Sequence, residues 1–194
     1  MAKELFRIVM IAVTAALAPS LALADGHVKQ VTEYVQKNVK PWLSDATVIK
    51  AIEASNQKHQ SLTQADIDKL DGDWIKARKE KAAHAPMDVL MNNELAVFLK
   101  TKKQGSGGAV AELFVMDNKG LNVAQTDPTS DFWQGDEAKW QKSFAASPDA
   151  IFVDKVEDDD GMKVSQTSLT IVDPNTKKPI GAITVVVDMG KLPK

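Results

Sequence analysis

The stretch Ile180–Val187, IGAITVVV, constrains the fold most. Side chains alternate between the two faces of a strand. Ile180, Ala182, Thr184 and Val186 fall on one face, and Ile183, Val185 and Val187 on the other. Neither face carries a charge, so this strand belongs inside a sheet covered on both sides. The chain must therefore supply two covers for one sheet.

The other strands follow from the same period. Ala109–Met116, AVAELFVM, reads as a first strand, and Asp117-Asn118-Lys119-Gly120 as a hairpin turn with glycine placed for positive φ. Leu121–Gln125 returns as the second, and Ile151–Val156 is the third. Glu157–Gly161, EDDDG, is an acidic hairpin tip. Lys163–Val172 is the fourth strand, Pro174-Asn175-Thr176 turns the chain, and Ile180–Val187 is the fifth. Consecutive hairpins predict a mostly antiparallel sheet.

The first cover is helical. Val28, Val31, Val35 and Val39 recur at helical spacing and predict a helix over His27–Val39, closed by Pro41. Ser44 is an N-cap candidate for the next, whose apolar face is Val48, Ile49 and Ile52. Thr63 with Asp66 forms a capping signal, with Leu62 able to staple to Ile67. Ile67, Leu70, Trp74 and Ile75 then share one face. The acids Asp66, Asp68 and Asp71 fail the calcium-loop pattern and read as a solvated face. Pro86 opens a further helix, with Val89, Leu90, Leu95, Phe98 and Leu99 on its buried side. Lys100–Gly108, KTKKQGSGG, reads as a flexible joint between the helical and strand halves.

The second cover can be Thr126–Phe144, TDPTSDFWQGDEAKWQKSF. It carries Trp133 and Trp140 and the carboxylates Asp127, Asp131, Asp136 and Glu137. Gly135–Phe144 reads as one short helix. If one helix spans both tryptophans, their spacing puts them on one face. Aromatic walls with nearby acids suit a cationic or hydroxyl-rich ligand. The plainer reading makes both tryptophans core and the acids solvated.

Several function classes are excluded or unsupported. Zero cysteines rule out disulfides, thiolate metal sites and cysteine nucleophiles. A formal charge of −2 and no basic stripe argue against nucleic acid as a partner. His27, His59 and His84 are far apart, and no H-E-x-x-H, G-x-S-x-G or P-loop occurs. No catalytic residue, metal site or cofactor is assigned. Lys3 and Arg7, the apolar run Ile8–Ala18 and Ala22-Leu23-Ala24 form a signal peptide over 1–24, cleaved before Asp25. The mature chain then divides into a helical part, 25–104, and a sheet, 105–194, of one exported domain placed in the periplasm.

Helices, a joint, two strands, a short helical insertion and three strands: this order resembles the extracytoplasmic PAS-like sensor fold, the Cache or PDC domain. The segments Phe114–Asp127, Asp131–Trp140 and Ser168–Asp188 carry the resemblance. It implies an α+β fold with long N-terminal helices on a five-stranded, mostly antiparallel sheet. It implies a stand-alone single-Cache periplasmic protein whose ligand lies between the sheet and the lid. The implied ligand-binding residues are Trp133, Asp136, Trp140 and Asp131, with Gln166 and Ser168 on the strand floor. Amino-acid-sensing members resemble one another in an arginine near the pocket aromatics. Here the only arginine after Arg7 is Arg78, in a helix, and Lys139 is its weaker substitute. The expected function is binding of a small polar organic ligand, with occupancy passed to a membrane receptor kinase or transporter. Homodimerisation through the N-terminal helices is a further expectation. The alternative is a structural or protein-interaction module with a filled cavity.

Overall fold

The computed structural model describes residues 20–193. The basic and apolar start of the targeting segment lies outside the described residues. The elements are α1 (Ser20–Asn38), a 3-10 turn (Lys40–Trp42), α2 (Ala46–His59), α3 (Gln64–Glu80), α4 (Ala85–Asn92), α5 (Glu94–Gly105), β1 (Val110–Asp117), β2 (Asn122–Gln125), α6 (Ala138–Gln141), β3 (Ile151–Asp159), β4 (Met162–Val172) and β5 (Pro179–Asp188). The protein is α+β, and its helices pack on a five-stranded antiparallel sheet of order β2-β1-β5-β4-β3. Among the described residues, no helix is long and apolar enough to cross a membrane.

β5 is the central strand, as its two apolar faces require. Ile183, Val185 and Val187 join Leu113 and Val115 of β1 and Leu169 and Ile171 of β4 in the main core. That core is closed by Val31 and Val35 of α1, Val48 and Ile52 of α2, and Leu95 and Leu99 of α5. Gly181 is needed where α2 crosses the sheet: a Cβ there would stand 2.3 Å from the Met116 carbonyl oxygen and 3.1 Å from Ile52. The opposite face carries Phe114, Met116 and Ala182, covered by Trp140 and Phe144.

Local signals explain most boundaries. Thr63 and Asp66 make a reciprocal capping box that starts α3. Gly120, at φ 82°, closes the β1–β2 turn. Four expectations shift. α1 begins at Ser20 rather than His27, so the expected cleavage point before Asp25 falls within the helix. Asp45, not Ser44, caps α2, through its carboxylate and the Thr47 N–H. The helix expected after Pro86 is two: Asn93 is extended, ends α4, and caps α5 through the Ala96 N–H at 2.8 Å. The joint is shorter than its composition suggests. α5 continues to Gly105, and the turn is confined to Ser106–Gly108, where Gly107 and Gly108 take positive φ.

Candidate ligand site

Strand register places the outer face in rungs. Glu112 of β1, Val186 of β5 and Gln166 of β4 stand side by side. Phe114, Thr184, Ser168 and Phe152 form the next rung, and Met116, Ala182 and Thr170 the third. The third rung is apolar on β1 and β5, and the lid aromatics seal it there. Trp140 and Phe144 lie 5.2 Å apart, centroid to centroid, and the Trp140 indole N–H donates to the Asp117 carbonyl at 3.3 Å. The first two rungs are the polar part of the face.

Above that polar part stands Lys139. Its side chain is 14% exposed, and its ammonium is 2.7 Å from Glu137 and 3.0 Å from the Gln134 amide oxygen. It also lies 5.5 Å from the Phe114 ring centroid. Gln134 is fully buried and donates through its amide nitrogen to the Asp131 carboxylate. Burial, set against the Lys139 ammonium, raises the pKa of Glu137. Asp131, Gln134, Glu137 and Lys139 thus form one chain of contacts along the lid.

Glu112 faces this chain from the sheet. It is half-buried, and among the described residues no hydrogen bond or ion pair to its carboxylate is found. Burial, and secondarily Asp127, push its pKa up to about 7; Lys103 and Lys139 act the other way. The folded state therefore holds this proton more tightly than the unfolded chain does. Stability should fall as pH rises from about 4.5 to about 7. The loss is on the order of 3 kcal/mol before solvent screening reduces it. Glu112→Gln should flatten that slope and unfold later than the wild type at pH 8. Denaturant melts at pH 5 and pH 8 measure this, and equal slopes in the two proteins would refute it.

The six residues expected to bind ligand do not all meet. Trp140 covers the apolar end of the outer face, while Ser168 lies on its second rung, bonded to Thr184 at 2.9 Å. Gln166 stands in the first rung. Asp131 reaches Lys139 indirectly, through Gln134 and Glu137. Trp133 lies elsewhere. α6 spans only Ala138–Gln141, so no helix aligns the two tryptophans. The Trp133 indole donates to the Lys119 carbonyl at 2.8 Å and packs with Ile67, Trp74, Leu121 and Phe132. Asp136 is exposed, and its backbone carbonyl accepts from Gln141 at 3.0 Å.

Sequence reasoning passed over three residues. Asp71, read as part of a solvated face, accepts the Phe132 and Trp133 N–H groups at 2.8 and 2.9 Å. With Trp74, whose indole donates to the Thr129 carbonyl at 3.1 Å, it clamps α3 onto the front of the lid. Its carboxyl is raised by burial in spite of those two bonds. Gln134 had no signal in its neighbours. Glu112 did: it is the one charge within AVAELFVM, on the face of Phe114 and Met116.

A catalytic reading of Ser55, His59 and Asp117 fails on geometry. A nucleophilic triad puts one imidazole nitrogen on the acid and the other on the hydroxyl. Here the same His59 Nδ1 is 2.7 Å from Asp117 and 3.3 Å from the Ser55 hydroxyl. Ser55 itself donates to Asp117 at 3.1 Å. Among the described residues, no cluster of three or more His, Asp or Glu could hold a metal ion.

No family model matches the chain, and no curated protein matches it. Solved structures do, in 26 chains. The sensor domain of the V. cholerae histidine kinase DctB is 12% identical with a TM-score of 0.38, over 89% of this chain and 58% of that one. The sensory domain of the Campylobacter jejuni chemoreceptor Tlp3 is 16% identical with a TM-score of 0.41, over 85% and 64%. The ligand-binding domain of the Pseudomonas aeruginosa amino-acid chemoreceptor PctC, in complex with GABA, is 13% identical with a TM-score of 0.40, over 62% and 55%. These structural neighbours are sensor domains of histidine kinases and chemoreceptors. The chain spans 55% to 64% of the length of these three.

Proposed function

We propose that this chain is a periplasmic, exported binding protein of Cache type that senses a small polar molecule without transforming it. The ligand sits between the first two rungs of the outer sheet face and the 126–144 lid. The observation that carries the reading is Lys139: a nearly buried ammonium, held by Glu137 and Gln134, facing a sheet whose half-buried carboxylate, Glu112, has no partner among the described residues. A ligand with an acceptor group for Lys139 and an amine or hydroxyl for Glu112 satisfies both. Entry requires the Glu137–Lys139 pair to swing outward, which couples occupancy to lid position. A membrane receptor kinase or transporter that reads the lid is the partner this implies. Two copies would pair through the N-terminal helices, on the sheet face opposite the lid.

The alternative, a structural or interaction module with a filled cavity, draws on the packing of Trp140 and Phe144 against Phe114, Met116 and Ala182. A melting-temperature screen across amino acids, amines, polyols and carboxylates separates the two. A ligand at about 100 times its Kd stabilises by about 2.7 kcal/mol. A hit whose effect disappears in Glu112→Gln supports the binding reading. A library with no stabilising compound supports the filled module.

A further inference from the structure

A groove on the helical side of the molecule lies apart from the outer sheet face and borrows Phe132 of the lid segment for its wall. It runs between α2, α4 and the edge strand β2 and encloses about 450 Å³. That volume is ordinary for a small-molecule site. Val89 and Leu90 of α4, Val123 of β2 and Phe132 form its apolar walls, and His59 and Asn122 are its buried polar members.

Asn122 is 1% exposed. Its Nδ2 donates to the Thr129 hydroxyl at 2.9 Å and the Asp131 carbonyl at 3.3 Å, with the Gln125 amide oxygen 3.4 Å away. The Thr129 hydroxyl gives its own proton to the Asp131 carbonyl, so all three neighbours are acceptors. A flipped Asn122 would set its Oδ1 against the Asp131 carbonyl oxygen, which can only accept. Its Oδ1 is left buried with no hydrogen-bond partner. Buried acceptors in native proteins are nearly always matched.

The groove also selects by charge. His59 is tied through Nδ1 to Asp117 at 2.7 Å. The unpartnered Asn122 Oδ1 disfavours an anion. No carboxylate lines the groove and Lys58 stands at its rim, which disfavours a cation. α4 has no buried residue, and Val89 is 61% exposed, so this wall can be displaced without opening the main core.

We propose that this groove is a second binding site, for a small neutral molecule, aromatic or branched aliphatic, that donates one hydroxyl or N–H to Asn122 Oδ1. Phenol is the simplest probe, with toluene as its donor-free counterpart. Both are titrated into the whole exported chain at pH 8, followed by amide NMR shifts. Phenol should move the amides of Val89, Leu90 and Val123 saturably and bind about tenfold tighter than toluene. Val89→Trp fills the mouth from an exposed position and should abolish binding without unfolding the protein. Asn122→Leu should erase the preference for phenol; should this variant fail to fold, Val89→Trp still decides. Equal affinity for toluene, undiminished binding by Val89→Trp, or no saturable shift at these amides would overturn the proposal. The amides of Lys139 and Trp140 report the lid site separately, so either site can fail without the other.

Discussion

Replacing Lys139 by methionine should abolish the response to any compound that stabilises the protein through the lid. The side chain is 14% exposed and lies between Glu137, Gln134 and the Phe114 ring. Methionine keeps the length of the stem and removes the charge. Loss of one partner of a buried, hydrogen-bonded charged contact costs about 2–5 kcal/mol in binding. At about 1.4 kcal/mol per decade, affinity falls by roughly thirty-fold or more. Glu137, half-buried and then without its cation, would take up a proton more readily, because burial already raises it. The folded state should survive, since the lid is also held by Asp71, Trp74 and Trp140. Titration calorimetry on wild type, Lys139→Met and Lys139→Arg measures this. Unchanged affinity in Lys139→Met would remove Lys139 from the site and, with it, the main support for a ligand under the lid.

Asp117→Ala should be the most damaging single change for stability outside the main core. Asp117 is fully buried at the end of β1. Its Oδ1 accepts the N–H groups of Lys119 and Leu121 at 2.9 and 3.0 Å, which shapes the hairpin turn. Its Oδ2 accepts from Ser55 at 3.1 Å and pairs with His59 at 2.7 Å, which ties α2 to that turn. Alanine leaves four polar groups without their partner in one buried place. Removing one member of a buried pair costs about 3–5 kcal/mol. For a chain of this size that corresponds to a melting temperature lower by about 10 °C. Asp117→Asn keeps an acceptor for the two backbone N–H groups and should lose less. Urea unfolding of the two variants gives the comparison, and an Asp117→Ala protein within about 1 kcal/mol of wild type would show that the turn stands without this carboxylate.

Much of the fold was legible because periodicity reports burial directly. The five strands, their antiparallel hairpins and the need for two covers all follow from alternation in 109–187. The capping box at Thr63 and the glycine turn at Gly120 are local chemistry, complete within a few residues. The site was less legible. Trp133 and Trp140 looked equivalent by spacing, yet α6 is four residues long and the two rings pack in different clusters, although both indoles donate to the Asp117–Gly120 turn. Asp71 looked solvated because its helix neighbours are; its partners come from a loop some sixty positions later. Lys139 stood out only as a substitute for a missing arginine, and nothing local reveals that Gln134 and Glu137 hold it.

The sequence by itself determined the elements, the sheet, its double cover and the segment that can serve as the second cover. Those depend on short-range pattern, where each residue's preference for water or interior acts on its own. Only the tertiary structure decided which side chains meet. Strand register set Glu112 in one rung with Gln166 across Val186, the lid's path brought Lys139 over Phe114, and α3 took the lid's front through Asp71 and Trp74. These contacts join residues far apart in the chain, and their energies arise from the burial and pairing of charges. That depends on which surfaces close over which, and no local pattern records it.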